Sequence, residues 1–240
     1  MKVIGVLGSP RGKASQTARL ARALDAGLCE AGAETEWIDV CSLRVEYCRA
    51  CDACHSGGRC VHHDDFEPLR EKLLLADGIV LSSPDYFGSV TAQIKAAIDR
   101  LSAVIHCQLF RHKYACTVAT AGGPSGSEVT AYLGEVLLNM GAYVVGGVAA
   151  SMSGGPAAME EAERTARALG REMASAMATR RVYPDQQERH RRTADYFRAL
   201  VERYRNRWPH EAAFWATVVA AASGPARPAA GAESVRSGKG

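Results

Sequence analysis

The chain has 240 residues, 47% of them hydrophobic and 23% charged, with 23 Gly and 9 Pro. That composition suits one globular domain with a sizeable core and excludes a wholly disordered chain, a collagen-like chain and a coiled coil. A net charge of +3 is too small to argue for a nucleic-acid partner, and no apolar run approaches the roughly 18 residues of a membrane span.

The opening MKVIGVLGSP reads as a strand entering a turn. It lacks the features of a signal peptide, so a soluble cytoplasmic protein is expected. Residues 2–7 are a short β-branched and apolar run, which predicts a buried strand. Residues 15–32 carry Ala18, Leu20, Ala21, Leu24 and Leu28 at helical spacing, with Gly32 as a stop. A second strand is predicted over 34–40. Residues 41–63 have no periodicity, are dominated by Cys, His and Gly, and read as a loop. A short helix follows over 66–75, then a third strand over 78–82, closed by Ser83-Pro84. Residues 90–105 predict one helix, with Ile94, Ile98, Leu101 and Ile105 on a single stripe. The alternation continues with a strand over 114–120, a helix over 128–140, a strand over 143–149 and a helix over 157–179.

Five strands alternating with helices predict a three-layer α/β sandwich with a parallel sheet and right-handed crossovers. After Pro184 the alternation stops. A charged helix is predicted over 185–207 and an Ala-rich one over 209–222. The final SGPARPAAGAESVRSGKG has little apolar bulk to offset its ordering entropy, and is expected to be disordered. The expected organisation is one domain over 1–180, a helical extension over 181–222 and a tail over 223–240. The Arg-rich extension reads first as a solvated face; docking of an acidic electron carrier or contact with a neighbouring subunit stays open.

In open parallel sheets, ligands bind at the carboxyl ends of the strands. Three loops there stand out. GSPRGKASQT, residues 8–17, supplies hydroxyls and free backbone N–H groups at a helix start, which suits a phosphate. It is neither a Walker loop nor a GxGxxG turn. SSPDYFGSV, residues 82–90, puts Tyr86 and Phe87 at a strand tip, where a flat heteroaromatic ring could lie. TAGGPSGSE, residues 120–128, has glycines that let backbone approach a ligand.

Together these loops resemble the NADPH-dependent FMN reductase family of flavodoxin-like proteins. The resemblance rests on Gly8-Ser9-Pro10-Arg11 with Ser15-Gln16-Thr17, on Ser83-Pro84-Asp85-Tyr86-Phe87-Gly88, and on Lys95 with Asp99-Arg100. It covers roughly residues 1–179 and implies a five-stranded sheet of order 2-1-3-4-5. It also implies FMN, held by Ser9, Arg11, Ser15, Gln16 and Thr17 at the phosphate. Pro84, Asp85, Tyr86, Phe87, Gly88, Gly122 and Gly123 would then flank the isoalloxazine ring. Gln16 stands where the family usually has Asn, and Asp85 where a small apolar residue is common.

The 8 cysteines sit at positions 29, 41, 48, 51, 54, 60, 107 and 116. In a reducing compartment the dense group CRACDACHSGGRC points to metal or redox chemistry rather than to structural disulfides. Its spacing is C-x2-C-x2-C-x5-C, over Cys48, Cys51, Cys54 and Cys60. Short gaps of this kind let one loop wrap an iron–sulfur core, and the turn at Gly57-Gly58 would let all four thiolates close on one 4Fe–4S cluster. Zinc, with His55, His62 or His63 completing a mixed site, stays open, as do a C-x2-C disulfide and a loop that binds nothing. Cys107 and Cys116 are expected to be small buried hydrophobes.

With this cluster the chain resembles the iron–sulfur flavoprotein branch of the family, which carries the compact motif followed by Asp-Asp, here Asp64-Asp65. Ala50 stands where that branch often has Gly. The expected function is an FMN-dependent redox protein with a 4Fe–4S cluster, passing electrons between a ferredoxin-like or NAD(P)H donor and an acceptor. The chemistry would be the cofactors', and no catalytic acid–base residue is assigned. The resemblance suggests a homodimer or tetramer, without nucleic acid or membrane partners. One alternative is an NAD(P)H-dependent flavin, quinone or azo reductase without a cluster, using NAD(P)H as a transient donor. Another is a zinc-stabilised or redox-sensing binding protein.

Overall fold

The computed structural model describes residues 1–223, so the predicted tail beyond Ser223 lies outside the described residues. Five parallel strands form one sheet in the order β2-β1-β3-β4-β5. They are β1 (Lys2–Leu7), β2 (Glu34–Asp39), β3 (Gly78–Pro84), β4 (Tyr114–Ala121) and β5 (Tyr143–Ser151). This is the order of the expected flavodoxin-like fold. β1 pairs with β2 from Lys2↔Glu34 to Leu7↔Asp39 and with β3 from Val3↔Gly78 to Leu7↔Ser82. β4 and β5 pair with a register shift between Ala115 and Cys116.

The three central strands, β1, β3 and β4, bury both faces, and their side chains alternate between two cores. Ile4, Val6, Ile79, Leu81, Ala115 and Ala119 enter one core. It is covered by α3 (Phe66–Leu75), α4 (Ala92–Asp99), α5 (Ser102–His106) and α6 (Gly126–Asn139). Val3, Val80, Cys116 and Val118 enter the other, beneath α1 (Gln16–Glu30) and α7 (Gly155–Ala178). α1 and α7 pack backbone to backbone. A Cβ on Gly27 would collide with the Arg167 carbonyl and one on Gly170 with the Leu24 carbonyl, so both positions need glycine.

The helix predicted over 90–105 is broken. The chain tightens where Arg100 N and Leu101 N donate to carbonyls three residues back (3.2 and 3.0 Å), and α4 ends there. The apolar stripe runs on across the break, so periodicity gave no sign of it. The loop predicted over 41–63 also contains a five-residue helix, α2 (Ala53–Gly57). It is too short for a periodic signal.

The C-terminal extension is two helices, α8 (Pro184–Arg203) and α9 (Pro209–Ser223). α8 caps the exposed edge of the sheet. The Gln186 amide accepts from Val144 N and donates to Val144 O, both at 2.8 Å, in place of a sixth strand. Its arginines pair largely within the helix, as Arg191 and Arg192 do with Glu188, in keeping with a solvated face. α9 then turns back onto α2. No helix among the described residues is long and apolar enough to cross a membrane.

Candidate functional site

Two cavities gather the residues that the sequence singles out. The first is an open cleft of about 250 Å3 at the carboxyl ends of the strands. The β1–α1 loop supplies Ser9, Arg11, Ser15, Gln16 and Thr17; the end of β3 and its loop supply Pro84, Asp85 and Tyr86; the end of β4 supplies Thr120, Ala121 and Gly122; and Met152 follows β5. Ser15 caps α1 by accepting from Ala18 N at 3.0 Å. The Gln16 and Thr17 amides are then left at the positive helix end without intrahelical acceptors.

The buried hydroxyls of Thr17 and Thr120 lie 2.6 Å apart and tie the first loop to the third. Asp85 spans the second and third: its N–H donates to Thr120 O (2.7 Å) and its Oδ2 accepts from Ser125 Oγ (2.6 Å). Asp85 Oδ1 is buried and has no partner among the described residues. A tight turn, Tyr86 N to Ser89 O at 2.8 Å and back at 3.2 Å, runs through Phe87 (φ 56°) and Gly88 (φ 74°). It leaves the Phe87 ring fully exposed and Tyr86 45% exposed, so these rings are not buried under the loop.

Nine of the twelve residues assigned to this site from sequence line the cleft; Phe87, Gly88 and Gly123 stand outside its lining. Thr120, Ala121 and Met152 were not assigned. The Thr120 hydroxyl at a strand end was a usable signal. Met152 arrives through a short turn after β5 and gave none.

The second cavity, about 140 Å3, is lined by Cys48, Cys51, Cys54 and Cys60 together, with His55, His62, Asp99, Arg100 and Ser102 among their neighbours. Left-handed backbone at Ala50 (φ 50°) and Asp52 (φ 60°) turns the chain twice between Cys48 and Cys54, both of which line the cavity. The Ala50 conformation is one that glycine adopts without strain. Ala50 N already lies 3.5 Å from Cys48 Sγ.

Asp64 and Asp65 close the base of this loop. Asp65 Oδ2 accepts from Arg44 N (2.8 Å) and Asp64 Oδ2 from Glu46 N (2.8 Å), which fastens the chain on both sides of the cysteines. The buried Asp64 carboxylate also takes two bonds from Arg100, at 2.6 and 3.0 Å. Arg100 donates to Glu46 O (3.0 Å) and lies 4.3 Å over the Phe66 ring. Burial would raise the Asp64 carboxyl, but Arg100 and the Glu46 and Phe66 amides hold it down at about 2.

The C-terminal extension clamps the same loop from outside. Asp52 Oδ2 accepts from Trp208 Nε1 (3.2 Å) and pairs with Arg207 (2.6 Å). The fully buried Glu211 bridges His55 Nδ1 (2.6 Å) and His106 Nδ1 (3.0 Å), whose rings stack at 4.4 Å. Burial opposes protonation of His55, yet Cys54 and Glu211 beside it raise it to about 10, so this is an ionic hydrogen bond. His55 Nε2 lies 3.2 Å from Ser102 Oγ, so both nitrogens of that ring are engaged. Cys107 and Cys116 are buried as expected, and burial pushes the Cys107 thiol up to about 12.

A family model described as NADPH-dependent FMN reductase matches residues 1–176. The chain belongs to this family. Within it, the chain is 37% identical over 152 residues to an iron-sulfur flavoprotein of Archaeoglobus fulgidus, covering 61% of this chain and 66% of that one. It is 38% identical over 130 residues to an iron-sulfur flavoprotein of Methanocaldococcus jannaschii, covering 54% of this chain and 67% of that one. The chain thus spans about two thirds of the length of these relatives. In fold it is similar to RosB, solved with a bound 8-demethyl-8-formylriboflavin-5'-phosphate intermediate. That likeness has a TM-score of 0.59 at 17% identity and covers 100% of this chain and 95% of the other.

Proposed function

We propose that this chain is an FMN-dependent electron-transfer oxidoreductase that also holds a 4Fe–4S cluster. One observation carries this reading. The segment that lines the cleft at residues 84–86 lines the four-cysteine cavity at Asp99, Arg100 and Ser102. The two cavities therefore draw on residues before α4 and on residues at or beyond its end, in a chain whose family is described as NADPH-dependent FMN reductase.

The cleft residues fit FMN. The α1 amides, the Ser9 and Thr17 hydroxyls and Arg11 suit a phosphate. Asp85 Oδ1 offers an unused acceptor to a ring N–H or a ribityl hydroxyl. The second cavity fits an iron–sulfur core. The four cysteines that line it together offer a thiolate set that suits such a core. When bound, FMN would supply two-electron hydride chemistry and a 4Fe–4S cluster would supply one-electron chemistry. The chain's own work is to anchor the phosphate, brace the three loops through Thr17–Thr120 and Asp85–Ser125, and keep the thiolates together.

The Cys51→Ala variant tests this reading. Loss of iron and acid-labile sulfide with FMN retained is expected; unchanged iron would remove the cluster. The partly exposed Tyr86 ring in the cleft lining, next in sequence to the fully exposed Phe87, also favours NAD(P)H as a donor that approaches the flavin directly. NADPH should then reduce the flavin of Cys51→Ala as fast as that of the unmodified protein. A variant reducible only by a ferredoxin would reject that donor.

A further inference from the structure

Two buried nitrogen atoms in residues lining the cysteine cavity have no hydrogen-bond partner among the described residues: Arg100 Nε and His62 Nε2. Such orphans are rare in folded proteins and call for a missing acceptor. Two of them beside one four-cysteine cavity call for the same one. We propose that Arg100 and His62 donate hydrogen bonds to sulfur atoms of the cluster and thereby hold its reduction potential up. The proposal rests on the iron–sulfur reading above.

Arg100 is held for this role. Its Nη atoms are taken by Asp64 and the Glu46 carbonyl and its plane lies over Phe66, which leaves Nε as the spare donor. Burial would lower the guanidinium pKa, but the Asp64 carboxylate, and after it the neighbouring Cys60 sulfur, more than offset this. His62 sits two residues beyond Cys60, on the opposite side of the loop closure from Arg100 in sequence. It needs only the tautomer with hydrogen on Nε2 to donate.

Reduction adds one electron to the core. No bond is made or broken, and no proton leaves either donor. N–H donors and a fixed positive charge beside sulfur favour the more negative, reduced state over the oxidised one, so the potential rises. A carboxylate-paired arginine keeps its charge at any working pH.

The test is a potentiometric titration of the full-length protein, purified without oxygen, followed by electron paramagnetic resonance. Iron and sulfide per chain are measured first. His62→Phe keeps the ring shape and removes the donor at a partly exposed position, so folding is little affected. It should shift the reduction equilibrium toward the oxidised form by about threefold or more, where tenfold corresponds to about 59 mV for one electron. Arg100→Lys keeps the charge, removes Nε, and should shift it in the same direction. A four-iron His62→Phe with unmoved potential overturns the proposal. So does loss of iron from His62→Phe, which would make His62 a ligand instead of a donor. Unmodified protein without iron or sulfide would instead sink the iron–sulfur reading itself, before any titration is run.

Discussion

The cleft is held mainly by the sheet, whereas the cysteine cavity is held mainly by side chains. At the cleft, Gly8 N donates to Ser82 O (2.8 Å) and Thr91 Oγ1 to Gly8 O (2.7 Å), so its loops are extensions of paired strands. At the cysteine cavity the backbone has no ladder. Asp64 and Asp65 fasten the loop base, and Glu211, Trp208 and Arg207 press on it from the C-terminal extension. The lesson is that the two halves of the proposed function depend on different interactions and can be damaged separately.

Asp64→Asn should show this most strongly. It strands the buried Arg100 charge, and breaking a buried pair of this kind costs about 3–5 kcal/mol. Urea unfolding at pH 7 should report that loss; a loss under about 1 kcal/mol would mean that the pair does not hold the loop.

Acid should act at the same place. The Asp64 pKa falls to about 2 in the folded chain, below the ordinary value of about 4. Its contribution, roughly 2 kcal/mol, is therefore complete above pH 4 and lost as the pH falls through 2. Unfolding titrations over that window should show the dependence, and Asp64→Asn should remove this part of it.

Glu211→Gln weakens the outer clamp. It leaves His55 with a neutral acceptor in a buried setting, at a cost of about 1–3 kcal/mol. Hydrogen exchange should quicken in α2 and α9 and stay unchanged in β1 and β3. Equal quickening in the sheet would erase the contrast between the two regions.

Thr17→Leu tests the other half. The buried hydroxyl pair with Thr120 is lost and a larger side chain enters the cleft. FMN affinity should fall tenfold or more, about 1.4 kcal/mol, with the cysteine loop undisturbed. Thr17→Ser should bind nearly as well as the unmodified protein. Smallest of all, Arg191→Ala on the exposed face of α8 should change stability by less than about 0.5 kcal/mol.

The fold was legible because strand and helix periods alternate cleanly from Lys2 to Ala178, with loops of small residues at each strand end. The place of the cleft was legible for the same reason: a parallel sheet sends every strand's carboxyl end to one edge. The cysteines announced themselves by spacing. What sequence could not show was tertiary. The break at Arg100 lies inside an unbroken apolar stripe. α2 is a single short turn fixed at its ends by Asp52 and Gly58 in left-handed backbone. The Glu211 bridge joins residues 156 and 105 positions apart, which no local pattern encodes. Asp64-Asp65 read as a family signature, and only the structure shows that they tie the loop to Glu46 and Arg44.

The most direct measurement is the content of flavin, iron, acid-labile sulfide and zinc per chain in protein purified without oxygen. One FMN with four irons and four sulfides is the predicted result. FMN with no iron would contradict the cluster and leave a flavin reductase, and zinc without flavin would contradict both cavities as read.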